Sequence, residues 1–272
     1  MSRLSKILLA AACVLAVAPL AWHAMSSLKS TAELNLVPPT LVPREITLSN
    51  YKSLFASRPF IRYCVNSFTV SALSSVICVA LASLAAYRLA RAGGRLRSSV
   101  RLALLAVAFF PPIVYIVPVY EIIQALGLVN HLWGLILPYS ALNLPFAIWL
   151  LTGSFQQIPL ELEEAAEIDG LTRFQSFRMI LLPLVTPALI TAGILVFIFS
   201  WNEFMFALTF ITIESQKTVT LGVATLSGAF AEEIPYGLIA AGVVASSLPL
   251  IILLIVFQRR IVAGLTAGAV KQ

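Results

Sequence analysis

Long apolar stretches separated by short polar segments run along the whole chain. A helix needs about 20 residues to cross a hydrocarbon core of about 30 Å. Apolar stretches of that order lie at about 7–25, 65–87, 99–120, 132–155, 186–212 and 236–257. The pattern therefore predicts an all-α membrane protein with about six transmembrane helices.

Composition supports lipid as the solvent for much of the chain. Of the 272 residues, 60% are hydrophobic and 11% are charged, whereas a soluble domain has about a quarter charged residues. Cys13, Cys64 and Cys78 are isolated, so neither a disulfide framework nor a metal site is predicted. The basic residues form short clusters between apolar runs and not a stripe that would bind nucleic acid. Membrane lipid is therefore an expected partner, and nucleic acid is not.

The basic clusters also predict which way the chain is threaded. Five arginines and no acidic residue lie within 88–101, which is typical of a cytoplasmic loop. Six spans then place both termini and the 156–185 segment in the cytoplasm as well. The first external loop is basic too, but long loops follow the rule less strictly.

The first apolar run has two interpretations. Arg3 and Lys6 before an apolar run resemble the start of a signal peptide. The run extends to about Met25, however, with Trp22 placed as an interfacial anchor and no clear cleavage site. These features favour a retained transmembrane helix.

The 156–185 segment has the signals of two short helices. Pro159 suits the first turn of a helix, and three acidic residues soon after it complement the N-terminal dipole. Gly170 is the expected left-handed stop. Thr172 and Gln175 have the spacing of a capping box for the second helix.

The same segment resembles the EAA loop of binding-protein-dependent ABC importer permeases. Glu164-Ala165-Ala166, Gly170 and Ile180-Leu181-Leu182-Pro183 occur at the spacing of that family. The resemblance implies a type I ABC importer permease (MetI-like) core in which the first short helix is a coupling helix that docks on an ATPase subunit. It also implies a bacterial or archaeal cell (inner) membrane as the location. The residues assigned to this contact are Glu163, Glu164, Ala165, Ala166, Asp169, Gly170 and Pro183.

The chemistry of these residues suits a docked helix. Ala165 and Ala166 would let the helix backbone approach a partner closely. Glu163 and Glu164 would meet basic groups on that partner.

Further similarity points to the carbohydrate-uptake branch of the family. It is carried by Asn66-Ser67, Leu84 to Arg91, Leu137 to Tyr139, Phe146 to Trp149, Phe155 to Pro159 and Ser200 to Phe204. The chain end, 258–271, is similar to the tail of the second maltose permease subunit and of trehalose-type permeases. There the tail reaches toward the ATPase, which implies a coupling role for Gly264, Leu265, Thr266 and Gly268, with the two glycines giving flexibility. A frayed basic terminus is the alternative.

The resemblance implies how the chain is divided into regions and which tasks belong to other subunits. The first helix and external loop occupy 1–64, a five-helix core that includes the 156–185 loop occupies 65–257, and the tail occupies 258–272. The chain would form half of a translocation pathway with a sister permease, beside an ATPase dimer and an extracytoplasmic solute-binding protein. It has no G-x-x-x-x-G-K-[ST] phosphate loop, so it is not expected to be an enzyme or to hold a cofactor, and ATP and Mg are assigned to the ATPase.

The expected substrate is a sugar, such as the di- or oligosaccharides trehalose or maltose. An importer of the same class for a polyol or glycerol phosphate is the alternative. An ion-coupled secondary carrier fits less well, because it would need an inverted repeat and paired intramembrane charges.

Polar residues within the spans are the candidates for the substrate pathway. Glu203 is a charged residue in an apolar run, so it either faces the pathway or belongs to a packing network. Pro111, Pro112 and Pro118 are expected to break backbone hydrogen bonding in the third span, which is tolerable only beside a cavity or protein. We expect the third and fifth spans to face one cavity, shared with the sister permease. The candidate residues are Tyr115, Tyr120, Asn143, Asn202 and Glu203.

Overall fold

The computed structural model describes residues 3–226 and 235–267, and all regular structure in these ranges is helical. The α-helices there are α1 (Arg3–Ser27), α2 (Thr31–Leu34), α3 (Ser49–Ser57), α4 (Phe60–Ala90), α5 (Gly94–Ala108), α6 (Ile116–Ala125), α7 (Trp133–Gln156), α8 (Glu161–Ile168), α9 (Arg173–Ser176), α10 (Leu182–Asn202), α11 (Met205–Phe210), α12 (Val219–Ala224) and α13 (Tyr236–Ala267). Short 3₁₀ turns occupy Pro112–Tyr115 and Glu214–Gln216, and a π-helical turn occupies Phe177–Leu181.

Within the described residues, five helical segments are long and apolar enough to cross a membrane. They are Ser5–Ser27, Phe60–Ala90, Trp133–Gln156, Arg173–Asn202 and Tyr236–Gln258. A sixth span results if the bent pair Gly94–Ala108 and Pro112–Ala125 counts as one. The chain is therefore a multi-pass helical membrane protein, as the sequence predicts.

The third span is sharply bent. Its two halves, Gly94–Ala108 and Pro112–Ala125, meet at 84°, and Pro111 and Pro112 lie at the break, where neither can donate a backbone hydrogen bond. Pro118 lies further along the second half, Pro112–Ala125, where it cannot donate a backbone hydrogen bond either. Helix α6 nevertheless continues past Pro118 to Ala125, so the bend itself lies at Pro111 and Pro112.

Two predicted span ends differ from the structure. The fifth span was expected to continue to 212, but α10 ends at Asn202 and a separate helix, α11, follows. The last helix, α13, continues beyond 257 to Ala267. Gly264, Leu265 and Thr266 are thus helical, and Gly268 lies outside the described residues.

The chain divides into two compact units. The first comprises 1–65 and 217–253. In it, the buried amide of Asn50 at the start of α3 donates hydrogen bonds to the carbonyls of Ser27 and Lys29, at 2.9 and 2.8 Å. These bonds fix α3 to the end of α1.

The buried carboxylate of Glu33 fixes the segment between α2 and α3 through hydrogen bonds. Glu33 is 6% exposed and accepts hydrogen bonds from the Thr40 hydroxyl at 2.6 Å and the Arg44 backbone N–H at 3.0 Å. The Lys29 ammonium donates to the Thr40 carbonyl. The Thr40 hydroxyl bond, with smaller contributions from Arg44 and Lys29, lowers the pKa of Glu33 below its ordinary value, although burial opposes the shift.

The second unit comprises 66–216 and 254–272 and contains the apolar core that positions the candidate sites. Small buried residues recur every fourth position along α4, at Cys78, Ala82, Ala86 and Ala90. This spacing forms one stripe on a helix, and small side chains let neighbouring helices approach closely. The stripe belongs to one cluster with buried residues of α7 and α10.

Candidate functional site

Helix α8 ends in a complete Schellman motif. Gly170 has φ +85°, a conformation that favours glycine. Its N–H donates to the Glu167 carbonyl at 3.1 Å, and the Leu171 N–H donates to the Ala166 carbonyl at 2.9 Å. The predicted glycine stop is confirmed.

The predicted capping box at the start of α9 is also confirmed. The Thr172 N–H donates to the Gln175 side chain at 2.8 Å, and the Gln175 N–H donates to the Thr172 hydroxyl at 3.4 Å. Helix α9 then continues through the π turn into α10. Pro183 lies in the first turn of α10, and the preceding π turn accommodates the backbone bond that proline cannot donate.

The two faces of α8 differ in exposure. Glu161, Glu164, Ala165 and Ile168 are exposed and share one face by their helical spacing; we name this the outer face. Ile168 is 86% exposed. Asp169, which follows as the C-cap, is exposed too.

The inner face of α8 contacts the same chain. The Arg91 side chain donates from Nε to Glu163 Oε1 at 2.6 Å, and the Tyr87 hydroxyl donates to Glu163 Oε2 at 2.9 Å. Ala166 is 1% exposed. The prediction that Glu163 and Ala166 face a partner is thus corrected, because helical geometry turns both toward α4 and the core.

A second site is a cavity of about 650 Å³ within the second unit. Most of the lining is apolar or aromatic, and three of the predicted pathway residues, Tyr115, Asn143 and Glu203, contribute to it. The other lining residues are Leu105, Ala108, Phe109, Pro112, Tyr139, Leu142, Phe146, Trp149, Phe199, Ser200 and Phe206. Such a volume with few polar groups is typical of a small-molecule site.

Glu203 both lines the cavity and explains the break in the fifth span. Its carboxylate accepts hydrogen bonds from the backbone N–H groups of Phe206 at 3.0 Å and Ala207 at 3.4 Å, and from the Tyr139 hydroxyl. The N–H groups at the start of α11 therefore have an acceptor where the helix is interrupted. Glu203 thus belongs to a network between α7 and α11 and also borders the cavity, so the geometry is compatible with both roles that the sequence left open.

Two predicted pathway residues are not among those that line the cavity. The ring of Tyr120 packs against Phe210, with centroids 5.7 Å apart. The exposed amide of Asn202 donates to the Ile198 carbonyl in its own helix at 2.8 Å. Asn143 does line the cavity, and its amide donates to the Tyr139 carbonyl one turn earlier at 2.8 Å.

Sequence reasoning missed the aromatic wall of the cavity. Phe146 and Trp149, three residues apart in α7, stack with ring centroids 6.4 Å apart, and Phe199 of α10 meets Phe146 edge-on at 5.5 Å. Their spacing was the available signal, but it does not show which face of α7 borders a cavity. Within 3–226 and 235–267, no group of three or more His, Cys, Asp or Glu is placed to hold a metal ion.

Comparison with protein families gives one match over most of the chain. The family described as "Binding-protein-dependent transport system inner membrane component" matches residues 78–266.

Individual relatives and a solved structure agree with this match. The chain is 40% identical over 253 residues to the sulfoquinovosyl glycerol transport system permease protein SmoH of Agrobacterium fabrum, covering 93% of this chain and 88% of the relative. It is 40% identical over 259 residues to the trehalose transport system permease protein SugB of Mycobacterium tuberculosis, covering 94% and 93%. A bacterial ABC transporter involved in alginate import has a similar fold, with a TM-score of 0.80, 22% identity, and 95% and 98% coverage.

Proposed function

Because the chain belongs to the family of inner-membrane components of binding-protein-dependent transport systems, we propose that it is one of two permease subunits of an ATP-driven sugar importer. The observation that carries the proposal is the outer face of α8. This helix is ordered at its end by the Schellman motif and fixed on its inner side by Arg91, yet it exposes Ile168 beside carboxylates. A helix that is held rigid at its end and along its inner face presents Ala165, Ile168 and the carboxylates in a fixed arrangement, which suits a protein contact.

The partner at the outer face is an ATPase subunit. Glu161 and Glu164 match a partner surface with basic groups, Ala165 allows close approach, and Ile168 enters an apolar depression. ATP and Mg are bound by that subunit, which works as a dimer. Both termini and α8 lie in the cytoplasm, while a sister permease completes the pathway and an extracytoplasmic solute-binding protein delivers the substrate.

The cavity suits an uncharged sugar. Sugars combine apolar ring faces with hydroxyl groups, and the cavity combines the aromatic wall of Phe146, Trp149 and Phe199 with the polar groups of Tyr115 and Asn143. The names of the relatives include trehalose and a sulfoquinovosyl glycerol, which supports a sugar or sugar glycoside, and trehalose, a disaccharide, supports the di- or oligosaccharide class. The carboxylate of Glu203 is used by Tyr139 and α11, so it shapes the cavity wall.

A matched pair of substitutions tests the docking assignment. Ala165→Arg places a bulky cation on the outer face, where it would hold the ATPase surface away without disturbing the buried core of the permease. Ala56→Arg makes the same change at an exposed position of α3, in the loop assigned to the opposite side of the membrane. The co-expressed ATPase should co-purify with the Ala56→Arg permease and be lost from the Ala165→Arg permease. Equal recovery with both variants would refute docking at α8.

The substrate assignment has its own measurement. The complete importer is reconstituted in proteoliposomes with its solute-binding protein, and uptake of labelled neutral disaccharides is measured with and without ATP. ATP-dependent disaccharide uptake is expected. ATP-dependent uptake of a polyol or glycerol phosphate in its place would refute the sugar assignment.

A further inference from the structure

The junction between α4 and α8 is held by one guanidinium group. Besides its bond to Glu163, Arg91 donates from Nη2 to the Ile158 carbonyl at 3.2 Å, just before α8 begins. Tyr87 lies one turn earlier on α4 and binds the second oxygen of the same carboxylate. The entry to α8 and its first turns are thus fixed to a single point at the end of α4.

Tyr87 also joins the helices that lead into and out of α8. Its ring centroid lies 5.9 Å from that of Phe155 in α7 and 5.2 Å from that of Phe177 in the π turn. Phe155 and Phe177 stack on each other at 6.1 Å. The segments before and after α8 therefore meet at the residue that holds α8 itself.

This ion pair differs from the other one in the same region. The side chains of Arg91 and Glu163 are 22% and 12% exposed, whereas those of Arg173 and Glu167 are 75% and 51% exposed. Water and salt screen an exposed pair strongly, so such pairs contribute little. A shielded pair with several charge-assisted hydrogen bonds resists separation.

We propose that Tyr87, Arg91 and Glu163 form a transmission clamp, a set of positioning residues that makes α4 follow α8 when the docked ATPase moves it. The inference rests on the proposed docking role of α8. A rigid-body movement of α8 that left α4 behind would break the bonds of Arg91 and Tyr87 to Glu163 together, so the two helices move as one. Because α4 belongs to the core cluster with α7 and α10, the movement reaches the helices that line the cavity.

The test uses the complete importer in proteoliposomes, with Arg91→Gln as the principal variant. We expect the ATPase subunit to co-purify in its wild-type ratio and basal ATP hydrolysis to persist. Stimulation of hydrolysis by the sugar-loaded binding protein should fall about tenfold, within the range of measured coupling effects. The exchanged pair, Arg91→Glu with Glu163→Arg, should restore stimulation toward the wild-type level. Arg88 is an exposed neighbour at the same end of α4. The control variant Arg88→Gln should therefore show normal stimulation of ATP hydrolysis by the sugar-loaded binding protein.

Two results would overturn the clamp. One is wild-type stimulation in Arg91→Gln. The other is a joint loss of ATPase co-purification and stimulation that the exchanged pair does not restore, which would show a purely structural role. If the ATPase subunit still co-purifies with the Ala165→Arg permease, the docking assignment itself is wrong. This separate result distinguishes failure of the docking assignment from failure of the clamp.

Discussion

Replacing Glu203 tests directly why the fifth span is interrupted. Glu203→Ala removes the acceptor for the N–H groups of Phe206 and Ala207 and for the Tyr139 hydroxyl. Losing a helix-capping side chain costs about 1 kcal/mol, and leaving a buried hydroxyl without its acceptor costs about 1–3 kcal/mol. The expected loss of stability is therefore about 2–4 kcal/mol. At about 2–4 °C per kcal/mol, the midpoint of thermal unfolding should fall by on the order of 5–15 °C.

The assay is thermal denaturation of the complete importer in lipid nanodiscs, followed as the fraction that remains monodisperse after heating. Glu203→Gln keeps one side-chain oxygen and should lose about half as much stability as Glu203→Ala. Asn202→Ala is the matched control, since this exposed neighbour bonds within its own helix, and it should cost less than about 0.5 kcal/mol.

The reasoning fails if Glu203→Ala and Asn202→Ala denature at the same temperature. A second check is the double variant with Tyr139→Phe. Because Glu203 and Tyr139 share a hydrogen bond, their effects should be non-additive by about 0.5–3 kcal/mol. If the two losses of stability simply add, the hydrogen bond between Glu203 and Tyr139 does not stabilise the interruption of the fifth span.

Three further predictions concern the cavity, the docking helix and the loop before α3. Trp149→Ala should raise the KM for sugar uptake about tenfold through the loss of about 1.4 kcal/mol of ring contact, while Trp133→Ala in the same helix should leave KM unchanged. Gly170→Ala should destabilise the end of α8 by about 1 kcal/mol, because φ at this residue is +85°, and it should also slow transport. In the control Gly153→Ala, the added Cβ meets open space, so the stability of the protein should be unchanged or slightly higher. The pKa of Glu33 is lowered in the folded protein, so the loop of residues 35–48 should lose stability as the pH falls below about 4.5. Limited proteolysis of this loop should show the pH-dependent loss in the wild type but not in Glu33→Gln.

Each of these predictions has a contrary outcome. Equal changes in the KM for sugar uptake in Trp149→Ala and Trp133→Ala would show that Trp149 does not contact the sugar. Normal transport by Gly170→Ala would show that the glycine conformation is not needed to present α8. Acid-induced cleavage that is identical in wild type and Glu33→Gln would assign the pH response to another group.

The sequence by itself determined the spans and the local helix ends. Backbone groups in lipid must be satisfied within their own segment, so an apolar run of sufficient length implies a helix, and the observed spans follow the predicted ones except for the bend in the third and the early end of the fifth. The stop at Gly170 and the capping box of Thr172 and Gln175 were also predictable, because their bonding partners lie within a few residues.

Only the tertiary structure decided which partners distant polar residues take. Glu163 and Arg91 lie 72 positions apart, and Tyr139 and Glu203 lie 64 apart, so neither pair leaves a periodic signal in the sequence. The interruption of the fifth span has no proline or glycine to mark it, since it depends on a carboxylate that supplies acceptors to the next helix. Likewise, the sequence predicted a docking role for α8, but packing against α4 decided that Glu164 and Ala165 face outward while Glu163 and Ala166 face inward.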